Sequence, residues 1–163
     1  MKAKYDNIPT QANFNLNRFI GRWYELARSK STFFEAGDYV YNDYKLDAEG
    51  NMLFTCHEMI NDKENITKAI SAQRANNEAI IEGRFLKPFK LKFLRFSVAV
   101  IETDYDNYAI MYSKNKFVWL FSNHSAWILS RLPIVEPGKL DEWLNTLEGK
   151  AGVKKQDMRV TLQ

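Results

Sequence analysis

Cysteine occurs once in the 163 residues, at Cys56, so no intramolecular disulfide holds this chain. Histidine occurs twice, at His57 and His124. Cys56 and His57 are neighbours, and on a strand neighbours point to opposite faces, so the two cannot chelate one ion together. No metal and no cofactor are expected. No apolar run approaches the roughly 20 residues of a membrane-spanning helix. The N-terminus MKAKYDNIPTQ lacks the apolar core of a secretory signal, which reads as a cytosolic chain or a processed one. Repeats, low-complexity tracts and linkers are also missing. The net charge of +3, with an isoelectric point near 8.9, falls short of the dense Lys/Arg clustering of a nucleic-acid binder.

What is present is an ordinary globular mixture with many aromatics: 45% apolar, 26% charged and 14% Phe, Trp and Tyr. Aromatic side chains fit pleated surfaces, which favours an all-β or pocket-forming protein of one domain, residues 1–163. After a polar arm (1–17), RWYELARSK reads as a first strand. GDYVYNDYKLDAEGNMLFTCHEMI reads as a hairpin turning at DAEG. NITKAISAQRA, NEAIIEGRF, FLRFSVAVIE, YAIMYSK and SAWILSR continue the pattern to eight strands in up-and-down order. One amphipathic helix follows over 137–150, with Leu140, Trp143, Leu144 and Leu147 at i, i+3, i+4 and i+7. DMRVTLQ supplies a short final strand, 157–162. Eight meandering strands and one helix predict a closed antiparallel barrel (a calyx, residues 18–131) with the helix packed outside, wide enough for one small ligand.

Loops of such a barrel alternate between its two ends. If the first strand starts at the closed end, STFFEAG, NDKEN, LKPFKLK and SKNKFVWLFSNHS surround the mouth, while DAEG, RANN and TDYDN lie at the far end. The mouth set collects Phe33, Phe34, Phe89, Phe117, Trp119 and Phe121 with Lys87, Lys90, Lys92, Lys114 and Lys116. The far set collects Asp47, Glu49, Asp104 and Asp106, with Arg74. A basic, aromatic rim attracts amphiphiles with anionic heads and could touch an anionic membrane. Strand parity places Val40, Asn42, Tyr44, Phe54, Cys56, Glu58, Phe96, Val98, Val100, Tyr112 and Trp127 on the inner wall, with Ile81, Gly83 and Phe85 in a less secure register. Glu58, near the mouth, is expected to reach water. Parity also puts Trp23, Glu25 and Ala27 on one face of the first strand, opposite Tyr24, Leu26 and Arg28.

The blocks GRW (21–23), TDYDNYA (103–109) and WILSR (127–131) resemble, in order, the three signature blocks of the lipocalins. GRWYELAR and NYAIMYS…AWILSR are most similar to the branch of apolipoprotein D and the bacterial outer-membrane lipocalins. The resemblance implies a cup for fatty acids, lysophospholipids or similar ligands, and an outer-membrane, periplasmic or secreted location. It also implies that Gly21, Trp23, Thr103, Asp104, Tyr105 and Arg131 are structural, with Arg131 lying across the Trp23 ring beneath the barrel. Glu25, one step up the same face, then needs a buried partner such as Arg131 or a tyrosine hydroxyl. The lipobox cysteine of bacterial relatives and the disulfides of animal ones are absent. Two sequons, at Asn65 and Asn123, are potential glycosylation sites.

The expected function is binding or transport of a small hydrophobic ligand, by a monomer or weak dimer. Two alternatives stand beside it. Some lipocalins modify bound lipids through a cup cysteine, and Cys56 is expected to point inward, though no histidine is placed to activate it. The aromatic mouth loops could instead bind a protein partner.

Overall fold

The computed structural model describes residues 5, 7–32, 35–92, 94–117 and 121–163, with residues 89, 115–117 and 121–123 described by backbone alone. Eight antiparallel strands form the barrel: β1 (Gly21–Ser29), β2 (Asp38–Leu46), β3 (Met52–Ile60), β4 (Lys63–Gln73), β5 (Ile80–Lys87), β6 (Arg95–Thr103), β7 (Tyr108–Phe117) and β8 (Phe121–Ser130). Each pairs with the next, and β1 pairs with both β8 and β2, closing the ring. The β1–β2 seam covers only Gly21–Tyr24 against Tyr41–Tyr44. Above it the short β9 (Met158–Val160) takes over the free edge of β1, pairing with Ala27–Ser29. The last residues continue the closure, because the Tyr39 amide donates to the Leu162 carbonyl and Gln163 Nε2 donates to the Glu25 and Val40 carbonyls. Covering an open sheet edge satisfies backbone groups that would otherwise invite pairing with another chain.

β1 is not a regular strand. Its pairing with β8 slips between Glu25 and Ala27, a bulge that consumes one residue and reverses the face of everything after it. Leu26 and Ala27 both join the cluster under the helix, and Arg28 turns inward beside Glu25. Simple alternation, which put Arg28 on the outer face and Ala27 on the inner, fails here for that reason. A second slip, between Val100 and Glu102 of β6, shifts the β6–β7 register in the same way.

The helix, α2 (Lys139–Ala151), follows a four-residue helical turn, α1 (Leu16–Phe19), that the hydropathy pattern did not reveal. Asp141 and Glu142 in its first turn and Lys150 in its last suit the helix dipole, and Gly152, at φ 69°, ends it. Trp143, Leu144 and Leu147 are its buried face, packed on Leu26, Ile110, Ile128 and Tyr112 of the outer wall. The β7–β8 connection also differs from expectation. Residues 113–117 and 121–125 are strand, paired Ser113–Ser125 through Phe117–Phe121, rather than a long mouth loop. The two segments satisfy their backbone groups across the ladder, which needs no alternating hydropathy to mark it.

Candidate functional site

The lower end of the barrel is sealed. The arm runs beneath it, with Phe14 and Phe19 buried against Trp23, Tyr44 and Tyr105. Arg131 lies over the Trp23 indole at 3.7 Å, worth about 0.5–2 kcal/mol depending on desolvation. Its guanidinium also donates to the carbonyls of Tyr105 (2.9 Å), Arg22 (2.9 Å), Arg18 (3.0 Å), Ile20 (3.1 Å) and Phe19 (3.3 Å). Trp23 Nε1 donates to Phe19 O at 2.8 Å. Gly21 has φ 106°, and a Cβ there would lie 3.1 Å from Arg131 Nη1, so glycine is what lets the arm pass this close. Thr103 and Asp104 tie the β6–β7 turn. Thr103 Oγ1 accepts from the Tyr105 amide, and Asp104 Oδ1 accepts from the amides of Asp106, Asn107 and Tyr108. Burial works to raise the Asp104 carboxyl, but these bonds and that of Asn107 hold it below its ordinary value.

Above this floor is a cavity with mostly apolar walls. Of the expected wall residues, Asn42, Tyr44, Phe54, Phe96, Val98 and Trp127 line it. Ile81 and Phe85 line it too, together with Glu35, Met52, Ser71, Met111 and Leu129. Val100 is inside but lower, in the floor cluster. Val40 and Cys56 are buried without lining the space. The centre of a water-sized sphere can range over about 60 Å³ inside, several times the ~10–15 Å³ that one water needs. The cup is narrow.

Two wall residues and one expected partner require correction. Tyr112 faces outward: it pairs with Ala99 and Ala126, packs edge-on against Tyr5, and bonds to His124 through its hydroxyl. β7 alternates without a break, so Tyr112 shares the outer face with Ile110, and its neighbour Met111, opposite Val100 and Trp127, takes the inward place with Ala109. Glu58 does not reach water. It is 2% exposed, and Oε2 accepts from the amides of Ala36 (3.0 Å) and Gly37 (2.8 Å) while Oε1 accepts from Asn65 Nδ2 (2.7 Å). Glu25 finds neither Arg131 nor a tyrosine; Arg28 Nη1 and Thr161 Oγ1 each donate to its Oε1 at 2.6 Å. Both partners depend on tertiary events, the bulge in β1 and the return of the C-terminus.

These residues build a buried acidic corner in the upper half of the barrel. Arg28 is the one buried cation among Glu25, Glu35 and Glu58, and its Nη2 also donates to Gly37 O at 2.9 Å. A Cβ at Gly37 would meet Met59 O at 2.5 Å, so this crossing needs glycine. Glu35 borders the cavity and accepts from Trp127 Nε1 at 2.9 Å. Burial, and then the charge of Glu25, push its carboxyl well above the ordinary value. Glu25 Oε2 has no hydrogen-bond donor among the described residues. Glu35 was not singled out from the sequence; a lone glutamate after two phenylalanines gives no periodic signal. Burial and the same three acids push the Cys56 thiol up, so it is a poor source of thiolate. His57 lies on the other face of β3, stacked on Tyr41 and bonded to Glu64.

At the rim, Lys87 ends β5 and is exposed, as are Lys90 and Lys92 on the β5–β6 connection. None of the three forms an ion pair among the described residues. Phe89 begins a 3-10 turn there, and its side chain lies outside the description. Lys114 and Lys116 are in β7, opposite His124 and Ser122, and not in a loop; the side chain of Lys116 is outside the description. Phe34 and Trp119, with Phe33, lie outside the described residues.

Comparison with known proteins agrees with this architecture. Residues 14–163 match the model of the Lipocalin-like domain. Apolipoprotein D of Bos taurus is 34% identical over 146 residues, 83% of this chain and 70% of that protein. The outer membrane lipoprotein Blc of Vibrio cholerae is 23% identical over 142 residues, 85% of this chain and 77% of that one. Among solved structures, insecticyanin of the tobacco hornworm Manduca sexta superposes with a TM-score of 0.77 at 18% identity, over 94% of this chain and 83% of that one. Lobster apocrustacyanin A1 gives 0.72 at 18%, over 96% and 90%. At these identities the two structures speak for the fold alone.

Proposed function

From the premise that this chain belongs to the lipocalin-like family, and that its homologues are binding and transport proteins for small hydrophobic ligands rather than enzymes, we propose that its cup holds a single-chain amphiphile, a fatty acid or a lysophospholipid. The observation that carries this reading is the pairing of a narrow apolar cavity, sealed below, with the unpaired lysines Lys87, Lys90 and Lys92 on one connection at the open end. A thin chain suits the narrow space better than a broad ring system. Each buried CH₂ offers about 0.8 kcal/mol, so a long tail supplies ample free energy and the head tunes selectivity. The cavity residues Phe54, Phe96, Val98 and Trp127 are the proposed tail contacts, with Asn42 and Tyr44 the polar members of the same wall. Of the remaining expected ligand residues, Cys56 and Val40 act behind that wall and Val100 below it.

The proposed setting is outside the cytoplasm, secreted or at a bacterial outer membrane, with the lysine connection touching anionic lipid and the chain acting as a monomer or weak dimer. The relatives named above, one of them an outer membrane lipoprotein, support the location. Native mass spectrometry of the purified protein, followed by titration of a fluorescent fatty acid against tryptophan emission, tests the reading. A co-purifying single-chain lipid, or saturable quenching competed by oleate, is the expected result. No bound lipid and no saturable quenching, with a stable dimer in solution, would favour a protein-interaction surface instead.

A further inference from the structure

The inner wall is not uniformly apolar, and its polar atoms are not all spent. Asn42 is 3% exposed and borders the cavity, yet its Oδ1 has no hydrogen-bond partner among the described residues. Tyr44 stands two residues along the same strand and on the same face. It also borders the cavity, and no hydrogen bond to its hydroxyl is found among the described residues. Burial raises its phenol, so the O–H stays intact and able to donate. Native proteins rarely leave such groups unmatched, because a buried acceptor without a donor is costly. A free acceptor beside a free hydroxyl is the complement of one small group, an alcohol, which donates to the first and accepts from the second.

A carboxylate is the wrong group for this place. It cannot donate to Asn42 Oδ1, and it would enter the field of Glu25, already matched to Arg28, the one buried cation among the described residues. Glu35 lines the same space, and burial first and the charge of Glu25 second push its carboxyl up, so the place disfavours a further negative charge. We propose that the cavity selects ligands carrying an uncharged hydroxyl, held between Asn42 and Tyr44, over ligands whose polar group is a carboxylate. A fatty acid would then be held by its tail, with its head kept outside at the lysine connection. The proposal rests on the cup being the ligand site, as argued above.

Three probes of one chain length test it, read by calorimetry and tryptophan emission on the intact protein: decan-1-ol, decyl methyl ether and decanoate. The ether keeps the oxygen but cannot donate. The expected result is decan-1-ol binding about tenfold more tightly than the ether, the size of one hydrogen bond recovered, with decanoate weaker than the alcohol. In Asn42→Leu the alcohol-to-ether ratio falls to near one; in Tyr44→Phe, which keeps the ring packing, alcohol and ether weaken alike and the ratio is kept. Equal affinity for alcohol and ether in the parent protein, or tighter binding of decanoate, overturns the proposal while leaving the cup as the ligand site. Failure of all three to bind overturns the cup reading and this inference with it.

Discussion

The two ends of this barrel are held together by different physics. At the floor, charge is used in pairs with geometry to spare: Arg131 is spread over an indole and five carbonyls, and Asp104 over three amides of its own turn. In the upper half, three buried glutamates share one buried arginine, and the carboxyl of one of them, Glu35, is pushed well above its ordinary value. The floor resembles a well-satisfied core. The upper half keeps unmatched polar atoms against a cavity, the arrangement expected where binding rather than folding sets the chemistry.

That contrast can be broken at either end. Trp23→Ala is expected to have the largest effect, about 3–5 kcal/mol of lost stability, because it empties the floor and removes the surface on which Arg131 lies. A urea midpoint equal to that of the parent would show that the floor is not the foundation. Arg28→Met comes next. It leaves buried glutamates without their cation and is expected to cost about 3–5 kcal/mol, much of it recovered in the double variant Arg28→Met/Glu25→Gln. An additive double variant would mean the two residues do not act as a pair.

The pH dependence of stability should have opposite sign at the two ends. Glu35 holds its proton more tightly folded than unfolded, so its contribution is intact near its ordinary pKa of 4.5 and is lost as pH rises above that. Asp104 is the reverse: its contribution is present above its ordinary 3.8 and is lost as pH falls through its lowered folded value. Denaturation midpoints of Glu35→Gln should therefore rise relative to the parent at neutral pH and converge near pH 4. Those of Asp104→Ala should fall by about 1 kcal/mol at neutral pH, one capping interaction, and converge in strong acid. The smallest effect on stability belongs to Lys87→Glu/Lys90→Glu/Lys92→Glu, within about 0.5 kcal/mol. Binding of oleate and of anionic liposomes should drop in the same triple variant. Unchanged binding in both assays would remove the lysine connection from the proposed site.

Most of the barrel is legible in the sequence because its strands obey period two and its turns carry Gly, Asn and Asp. The outer helix is legible through Leu140, Trp143, Leu144 and Leu147. Where the pattern is interrupted, legibility ends. The slip in β1 moves Arg28 inward, and no single-residue property announces a bulge; Tyr112 faces outward because β7 alternates unbroken from Ala109 and Met111 on the inner face. Glu58 reads as a carboxylate near a rim that should seek water. Only the fold brings the Ala36 and Gly37 amides and Asn65 to it.

The stretch around Trp23 shows the same division. Its glycine and tryptophan, with the arginine 108 residues after Trp23, mark a floor in the sequence through their resemblance to the lipocalin signature blocks. Two residues further, Glu25 is unreadable. Its partners are an arginine turned by a bulge and a threonine from the C-terminal segment, 136 positions away. Hydrophobic periodicity is a local signal and determined the strands and the helix, and the three signature blocks pointed to the family. The buried charges were decided by the tertiary structure alone, since a carboxylate inside a barrel is stable only with donors that distant parts of the chain deliver.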